Sequence, residues 1–395
     1  MNRSPLPLLI LVIVLIPLGL RGQTAASPLN ESGSLSAIAV SSSGDSGSVA
    51  FEKAGDVTRE SAQGAHGSAK QSPSKVPASA STGEPNVPPI DDSRVGYVDN
   101  AIIGSQIRIR LDANLQDQTP DFAEFFYAKS GYYKTLCTPT TQAGCDPIAP
   151  GPGPGIPNSI NFQQLFLNAE YAPKRRFSIF VELPIRWIQP QGIETINPPQ
   201  PVFGKQSGFS DVQAGFKLAA IASEKTYLTF QLRGYFPSGN AAKGLGTNHY
   251  SVEPSLLLYQ RLSKRFTFEG EIGDWHPIGG SAGDSTVGSG GFAGDVFFYG
   301  FGPSYELPIH SNRFGIAPVL ELVGWRTLSG FWSETNPLQT PDPADTAAGT
   351  NMMNLKAGAR FTIGNHNSLY AGYGRAITSN YWYLKIFRIE YRYAF

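Results

Sequence analysis

From residue 103 onward the chain alternates. Between Ile103 and Leu115 the residues Ile103, Ile107, Ile109, Leu111, Ala113 and Leu115 share one parity, and Gln106, Arg108, Arg110, Asp112 and Asn114 share the other. A period of two held over a dozen residues is that of a strand whose two faces meet different surroundings. The pattern returns at Asn161–Tyr171, Phe177–Ile188, Phe209–Ile221, Tyr227–Phe236, Tyr250–Leu262 and Phe266–Trp275. It continues at Gly294–Leu307, Phe314–Trp325, Met352–Ile363, Ser368–Ile377 and Trp382–Tyr393, which makes twelve strands. Each runs for about ten to fourteen residues, the length a tilted strand needs to cross a bilayer.

The connections carry a second pattern. Pro173–Arg176, Ser223–Thr226, Ser263–Arg265, His310–Arg313 and Gly364–Asn367 are short and polar. Those between them, Gln116–Ile160, Gln189–Gly208, Pro237–His249, Pro277–Gly291 and Thr327–Asn351, are long, and only Thr378–Tyr381 is short. Alternating short and long connections is the asymmetry of a membrane barrel, with tight periplasmic turns and long outer loops. A soluble β-sandwich has no reason to alternate in this way.

The closing stretch YWYLKIFRIEYRYAF sets Tyr383, Phe387, Ile389, Tyr391, Tyr393 and Phe395 on one parity and Arg388, Glu390 and Arg392 on the other. It resembles the last strand of bacterial outer-membrane barrels, which ends on an aromatic residue. That resemblance makes the barrel-assembly machinery a partner through Phe395.

At the other end, Arg3, an apolar run from Leu6 to Leu20 and small residues at Thr24–Ala26 have the order of a secretory signal, with cleavage expected near Ala26. Residues 27–95 are rich in Ser, Gly, Ala and Pro and cannot bury enough apolar surface to offset the entropy of ordering. They read as a disordered periplasmic tail. Three regions follow: signal peptide 1–26, tail 27–95 and barrel 96–395. The expected fold is an all-β transmembrane antiparallel barrel of about twelve strands with a disordered N-terminal tail, in the outer membrane of a Gram-negative bacterium and in contact with its lipid. Composition adds exclusions: Lys+Arg and Asp+Glu are equal at 31 each, so no basic excess points to nucleic acid.

If the more apolar parity faces lipid, the charges gather on the lumen side. The constriction candidates are Arg108, Arg110, Asp112, Glu182, Arg186, Lys217, Arg233, Glu253, Glu269, Glu271, Arg360, Arg388, Glu390 and Arg392, with Glu170, Asp211, Glu321 and Lys356 among their neighbours. Acids and bases are about equal in number and should pair across a narrow lumen. Singly, each needs no role beyond bracing the interior; as a set they point to a constricted channel.

Two loop features stand out. Thr119–Asp121 reads as a helix start, with Phe122, Phe125, Phe126 and Lys129 on one face before Gly131, either packed on the barrel rim or folded over the mouth as a lid. Cys137 and Cys145 lie close together in a Pro/Gly-rich stretch, which in an exported chain reads as a local disulfide of the first outer loop.

Catalytic chemistry finds little support. His249, Ser251 and Glu253 share a strand face, an arrangement similar to that of lipid A deacylase barrels. Same-face neighbours are nearly 7 Å apart along a strand, and this face continues as ordinary lumen lining through Ser255 and Arg261. Neither a phosphate loop nor a metal-ligand spacing is present, so no enzymatic activity and no cofactor are expected.

The segments GFSDVQAGFKLAAI (Gly208–Ile221), FQLRGYFPSGN (Phe230–Asn240), GLGTNHYSVEPSLLLYQRL (Gly244–Leu262) and GEIGDWHPIGG (Gly270–Gly280) resemble the meta-pathway of phenol degradation family of outer-membrane transporters. That family is similar in kind to fatty-acid and aromatic-hydrocarbon uptake barrels. The resemblance implies a passive channel for small solutes, aromatic or hydrophobic ones included, and carries over no binding residues. The competing readings are a structural or adhesin-like surface-binding barrel and, behind it, a lipid-modifying outer-membrane hydrolase.

Overall fold

The computed structural model describes residues 93–125, 157–193, 204–280, 292–309, 311, 313–333 and 344–395. The signal peptide, the tail up to residue 92, Phe126, and Cys137 with Cys145 lie outside the described residues.

The described residues form fifteen strands: β1 (Gln106–Asp117), β2 (Pro157–Lys174), β3 (Phe177–Ile193), β4 (Gln206–Phe209) and β5 (Val212–Ala222). Then come β6 (Thr226–Phe236), β7 (Tyr250–Arg261), β8 (Phe266–Ile278), β9 (Val296–Tyr305) and β10 (Phe314–Thr327). The last are β11 (Phe331–Ser333), β12 (Ala344–Thr346), β13 (Asn351–Ile363), β14 (Asn367–Ala376) and β15 (Lys385–Ala394). Every pairing is antiparallel between neighbours, β1 pairs with β15, and β2 pairs with β3, so the sheet closes on itself. β11 and β12 pair only with each other inside a long outer loop. β4 and β5 are one wall strand bearing a bulge: Ile185 pairs with Phe209 and Glu182 with Gln213, which leaves one extra residue on the second strand. The closed wall therefore has twelve strands.

Its two faces differ as the alternation requires. Ile107, Ile179, Leu218, Ile272, Leu320 and Ile389 are exposed on the outside, while their strand neighbours Arg108, Ser178, Lys217, Glu271, Glu321 and Glu390 are buried inside. A closed sheet with an apolar exterior satisfies its backbone internally and presents that exterior to lipid. Aromatic residues mark both edges of the band: Tyr171, Tyr305, Phe314 and Tyr393 by the short turns, Trp187, Phe209, Phe236, Tyr250 and Phe297 by the long loops. The protein is an outer-membrane β-barrel, and among the described residues no helix is long and apolar enough to cross a membrane.

Three local readings of the sequence change. Ile103 keeps the parity of β1 but lies before it, only 6% exposed, against Tyr227, Leu257 and Tyr259 inside the barrel. Tyr383 was placed in the lipid-facing row; β15 begins only at Lys385, and the irregular backbone before it turns Trp382 and Tyr383 into the lumen. The expected helix after Asp121 is a 3-10 turn, Phe122–Glu124, because Ala123 and Glu124 adopt positive φ (54° and 53°), which no α-helix continues.

The lumen holds a segment that belongs to no strand. Residues 93–105 enter at the end with the short turns, where Arg94 donates to the Arg265 carbonyl at 3.0 Å. They rise to Tyr97–Asp99 and return to the same end, where the Phe395 N–H donates to the Ser105 carbonyl at 3.0 Å. Ser93, Arg94 and Val95, which the sequence reading left in the tail, are buried in this plug. Close packing needs two glycine contacts. A Cβ on Gly96 would stand 2.2 Å from the Tyr370 ring, and one on Gly302 would press on Glu321 at 2.7 Å and Val95 at 3.0 Å.

Candidate functional site: a clamped plug below an aromatic-roofed cavity

An irregular segment inside a barrel must have its backbone polar groups satisfied by the wall. Three carboxylates do this for the N–H groups. Glu269 accepts from Arg94 N at 2.8 Å, Glu321 from Gly96, Tyr97 and Val98 at 3.2, 2.8 and 2.9 Å, and Glu271 from Asp99 at 2.8 Å. Bases take the carbonyls. Arg360 donates to those of Arg94 and Val95 at 3.2 and 2.7 Å, Arg392 to that of Ser93 at 3.1 Å, and Lys217 to that of Asn100 at 3.0 Å. Arg388 reaches the Gly96 carbonyl, and the Thr229 hydroxyl donates to that of Ala101 at 2.6 Å. Much of the expected lumen charge is thus an inverse copy of the plug's backbone.

Ion pairs also join many of the candidates to one another. Arg108 and Arg110 both meet Glu182, at 2.9 and 3.2 Å, and Arg388 clasps Asp112 through Nε at 2.7 Å and Nη2 at 2.6 Å. Glu390, wholly buried, has Arg360 at 2.8 Å, Arg392 at 2.7 Å and Arg108 at 3.8 Å. Arg233 joins wall to plug, with Asp99 at 2.5 Å on one side and Glu253 at 2.8 Å on the other. Burial alone would raise the Asp99 carboxyl, but Arg233, Arg108 and Lys217 outweigh it and hold the group well below the usual carboxylate range.

Above the plug lies a cavity of about 250 Å³. Tyr97 and Asp99 form part of its lining, as do Arg110, Asp112, Glu182, Arg186, Arg233, Lys356 and Arg388, and Phe125, Phe162, Tyr235, Trp275, Trp325 and Tyr383 supply aromatic surface. Phe125 comes from the first outer loop and lies on Trp382, ring centroids 3.4 Å apart and 9° from parallel, with its ring edge-on to Trp275 at 4.8 Å. Phe122 is buried against Trp332. Of the three lid candidates, Phe125 thus reaches the cavity and Phe122 anchors the turn behind it.

His249 takes part in holding this turn. Its Nδ1 is 3.2 Å from a carboxylate oxygen of the buried Glu124 and 3.0 Å from the Thr247 carbonyl. Asp211, beside the β4–β5 bulge, accepts from the N–H groups of Gly239 and Thr247 at 2.9 and 2.8 Å and so fixes the loop that carries His249. The residues that sequence reasoning missed are those of the plug. Their one local signal was Arg94–Ile103, an apolar and aromatic patch directly after the polar tail.

Comparison with known proteins adds the following. The family described as "Putative MetA-pathway of phenol degradation" matches residues 175–273, which shows the resemblance over that span. No curated protein matches. An outer membrane channel from Pseudomonas putida F1 is similar with 13% identity over 77% of this chain and 100% of its own, at a TM-score of 0.46. The KdgM porin has 8% identity over 73% and 99%, at 0.35, and LpxR from Salmonella typhimurium 11% over 74% and 100%, at 0.37.

Proposed function

We propose that this barrel is a passive outer-membrane channel for small solutes, aromatic or hydrophobic ones among them, held shut by residues 93–105. One observation carries the reading: the lumen is occupied by a segment that is no part of the wall, and the space left above it is a cavity with an aromatic roof. A barrel serving only as a scaffold for surface loops needs a filled interior. This one keeps a hollow where Tyr97, Trp275, Trp325 and Tyr383 meet charged groups, the mixture of apolar walls and a few polar points that small-molecule sites use. Arg110, Glu182, Arg233 and Glu253 then act on the solute where the plug's Asp99 joins them in the cavity lining.

Planar-bilayer recording of the full chain and of a variant lacking residues 93–103 tests the reading. The full chain should show small or intermittent conductance and the deletion a larger, steadier one. Liposomes holding the deletion variant should admit benzenesulfonate and small sugars, which protein-free liposomes exclude. If both proteins are electrically silent and impermeable to these solutes, the channel reading fails and the surface-binding alternative takes its place.

A further inference from the structure

Lys356 differs from Arg110, Arg233 and Arg388, the bases of the cavity wall that each have a carboxylate in reach. It is 3% exposed, and no carboxylate lies within ion-pair distance of it among the described residues. Its ammonium carries three donors, of which one goes to the Tyr383 hydroxyl at 3.1 Å. What surrounds it otherwise is aromatic: the ring centroids of Tyr97, Trp325 and Tyr383 lie 4.1, 5.2 and 5.6 Å from Nζ.

The acids that could neutralise it are engaged elsewhere. Glu321 is its direct cross-strand partner, yet it turns to three backbone N–H groups of the plug and to the Tyr370 hydroxyl. Asp112 is clasped by Arg388, and Glu271 accepts the Asp99 N–H. Aromatic faces attract a cation but accept no conventional hydrogen bond, so a buried ammonium in this cage keeps donors to spare beside an open volume. An anion entering the cavity supplies what the chain withholds.

The shape of the cavity narrows the class of anion. A space of ~150 Å³ takes one benzene ring, and this cavity, at about 250 Å³, has room for a ring with a polar group. Trp325 provides a flat surface beside Lys356, and Phe125, whose ring lies against Trp325 and Trp275, continues that aromatic surface along the cavity.

We propose that Lys356 is the anion-recognition point of the cavity and that its ligand is a small aromatic carboxylate, the ring lying against the aromatic roof and the carboxylate accepting from Nζ. The proposal deepens the channel reading by naming a solute class. It depends on that reading only for the step from binding to passage.

The test is a fluorescence titration of the full-length barrel in detergent, using Trp275, Trp325 and Trp382 as reporters. Benzoate should quench saturably, and benzyl alcohol and acetate, each lacking one half of the ligand, should bind at least about tenfold more weakly. Lys356→Met should weaken benzoate by a similar factor and leave benzyl alcohol unchanged, while Lys356→Arg should restore benzoate. Equal benzoate affinities for wild type and Lys356→Met overturn the proposal. So does wild-type protein that binds benzyl alcohol or acetate as tightly as benzoate, a comparison that decides the matter even if Lys356→Met fails to fold. Conductance of the plug-deleted variant in plain salt, set beside benzoate binding by the full-length barrel, separates the two ideas: a conducting deletion variant with a full-length barrel that ignores benzoate sinks this proposal alone, and a silent deletion variant with a full-length barrel that binds benzoate sinks the channel alone.

Discussion

Glu321 accepts the backbone N–H of Tyr97 at 2.8 Å from a position more than two hundred residues later in the chain. The same carboxylate takes the neighbouring N–H groups of Gly96 and Val98, so one side chain of β10 holds the apex of the plug. Glu321→Ala leaves four buried donors, the three N–H groups and the Tyr370 hydroxyl, without this acceptor, each costing about 1–3 kcal/mol. Faster hydrogen exchange over residues 93–103 and a higher open probability in bilayers are expected. Glu321→Gln, which keeps one acceptor oxygen, should lie between wild type and Ala. Unchanged exchange in Glu321→Ala would show that the plug is held by other contacts.

Arg233 links plug and wall by an ion pair to each. Removing one partner of such a buried pair costs about 3–5 kcal/mol, because the other charge is left uncompensated. A double-mutant cycle with Asp99→Asn and Arg233→Met should therefore be strongly non-additive in the temperature at which the folded band disappears on unboiled gels. Additive effects would mean that the two side chains do not meet.

Phe125 lies flat on Trp382 and edge-on to Trp275. Phe125→Ala loses these ring pairs, worth about 0.5–1.5 kcal/mol each beyond the area they bury, and opens the roof. Leak of small solutes into liposomes should rise while the barrel stays heat-modifiable. If leak is unchanged, Phe125 closes nothing.

Arg108 and Arg110 share Glu182. In the plug-deleted background, replacing both by Gln leaves that acid without a base and should tilt the reversal potential towards cations. The direction of the shift is what matters, since loss of an anion-repelling group would move it the other way.

Phe395 is 64% exposed at the end of the outward row that holds Phe387, Ile389 and Tyr393. Phe395→Asp should lower the amount of protein reaching the surface in cells without changing barrels refolded in detergent, the pattern expected if assembly machinery reads this residue. Normal surface levels would argue against such a partner.

The wall was legible because lipid on one side and a polar interior on the other impose a period of two. Tyr227–Phe236 differs from the observed β6 by one residue, and Phe314–Trp325 from β10 by two. The plug was not legible for a physical reason. Glu269, Glu321 and Arg360 would alternate identically whether they faced water or another stretch of chain, and their partners at Arg94–Val98 are some 170 to 270 positions away. Tyr383 differs for another reason: it lies in the irregular stretch between β14 and β15, where the strand period no longer decides which way an aromatic side chain points. Within the cavity, the isolation of Lys356 depends on Glu321 being drawn away by the plug, which no spacing along the chain announces.

Residues 93–105 lie directly before β1, yet the groups that grip them come from β5, β6, β8, β10, β13 and β15. This segment before β1 therefore has no complete seat until β15 has joined β1. Because the segment goes in and comes out by one opening, it can seat afterwards as a bight of rope is pushed into a ring, with no chain end to thread. On that route a hollow, newly closed cylinder precedes the finished barrel, and the membrane is sealed only as fast as the bight finds its place.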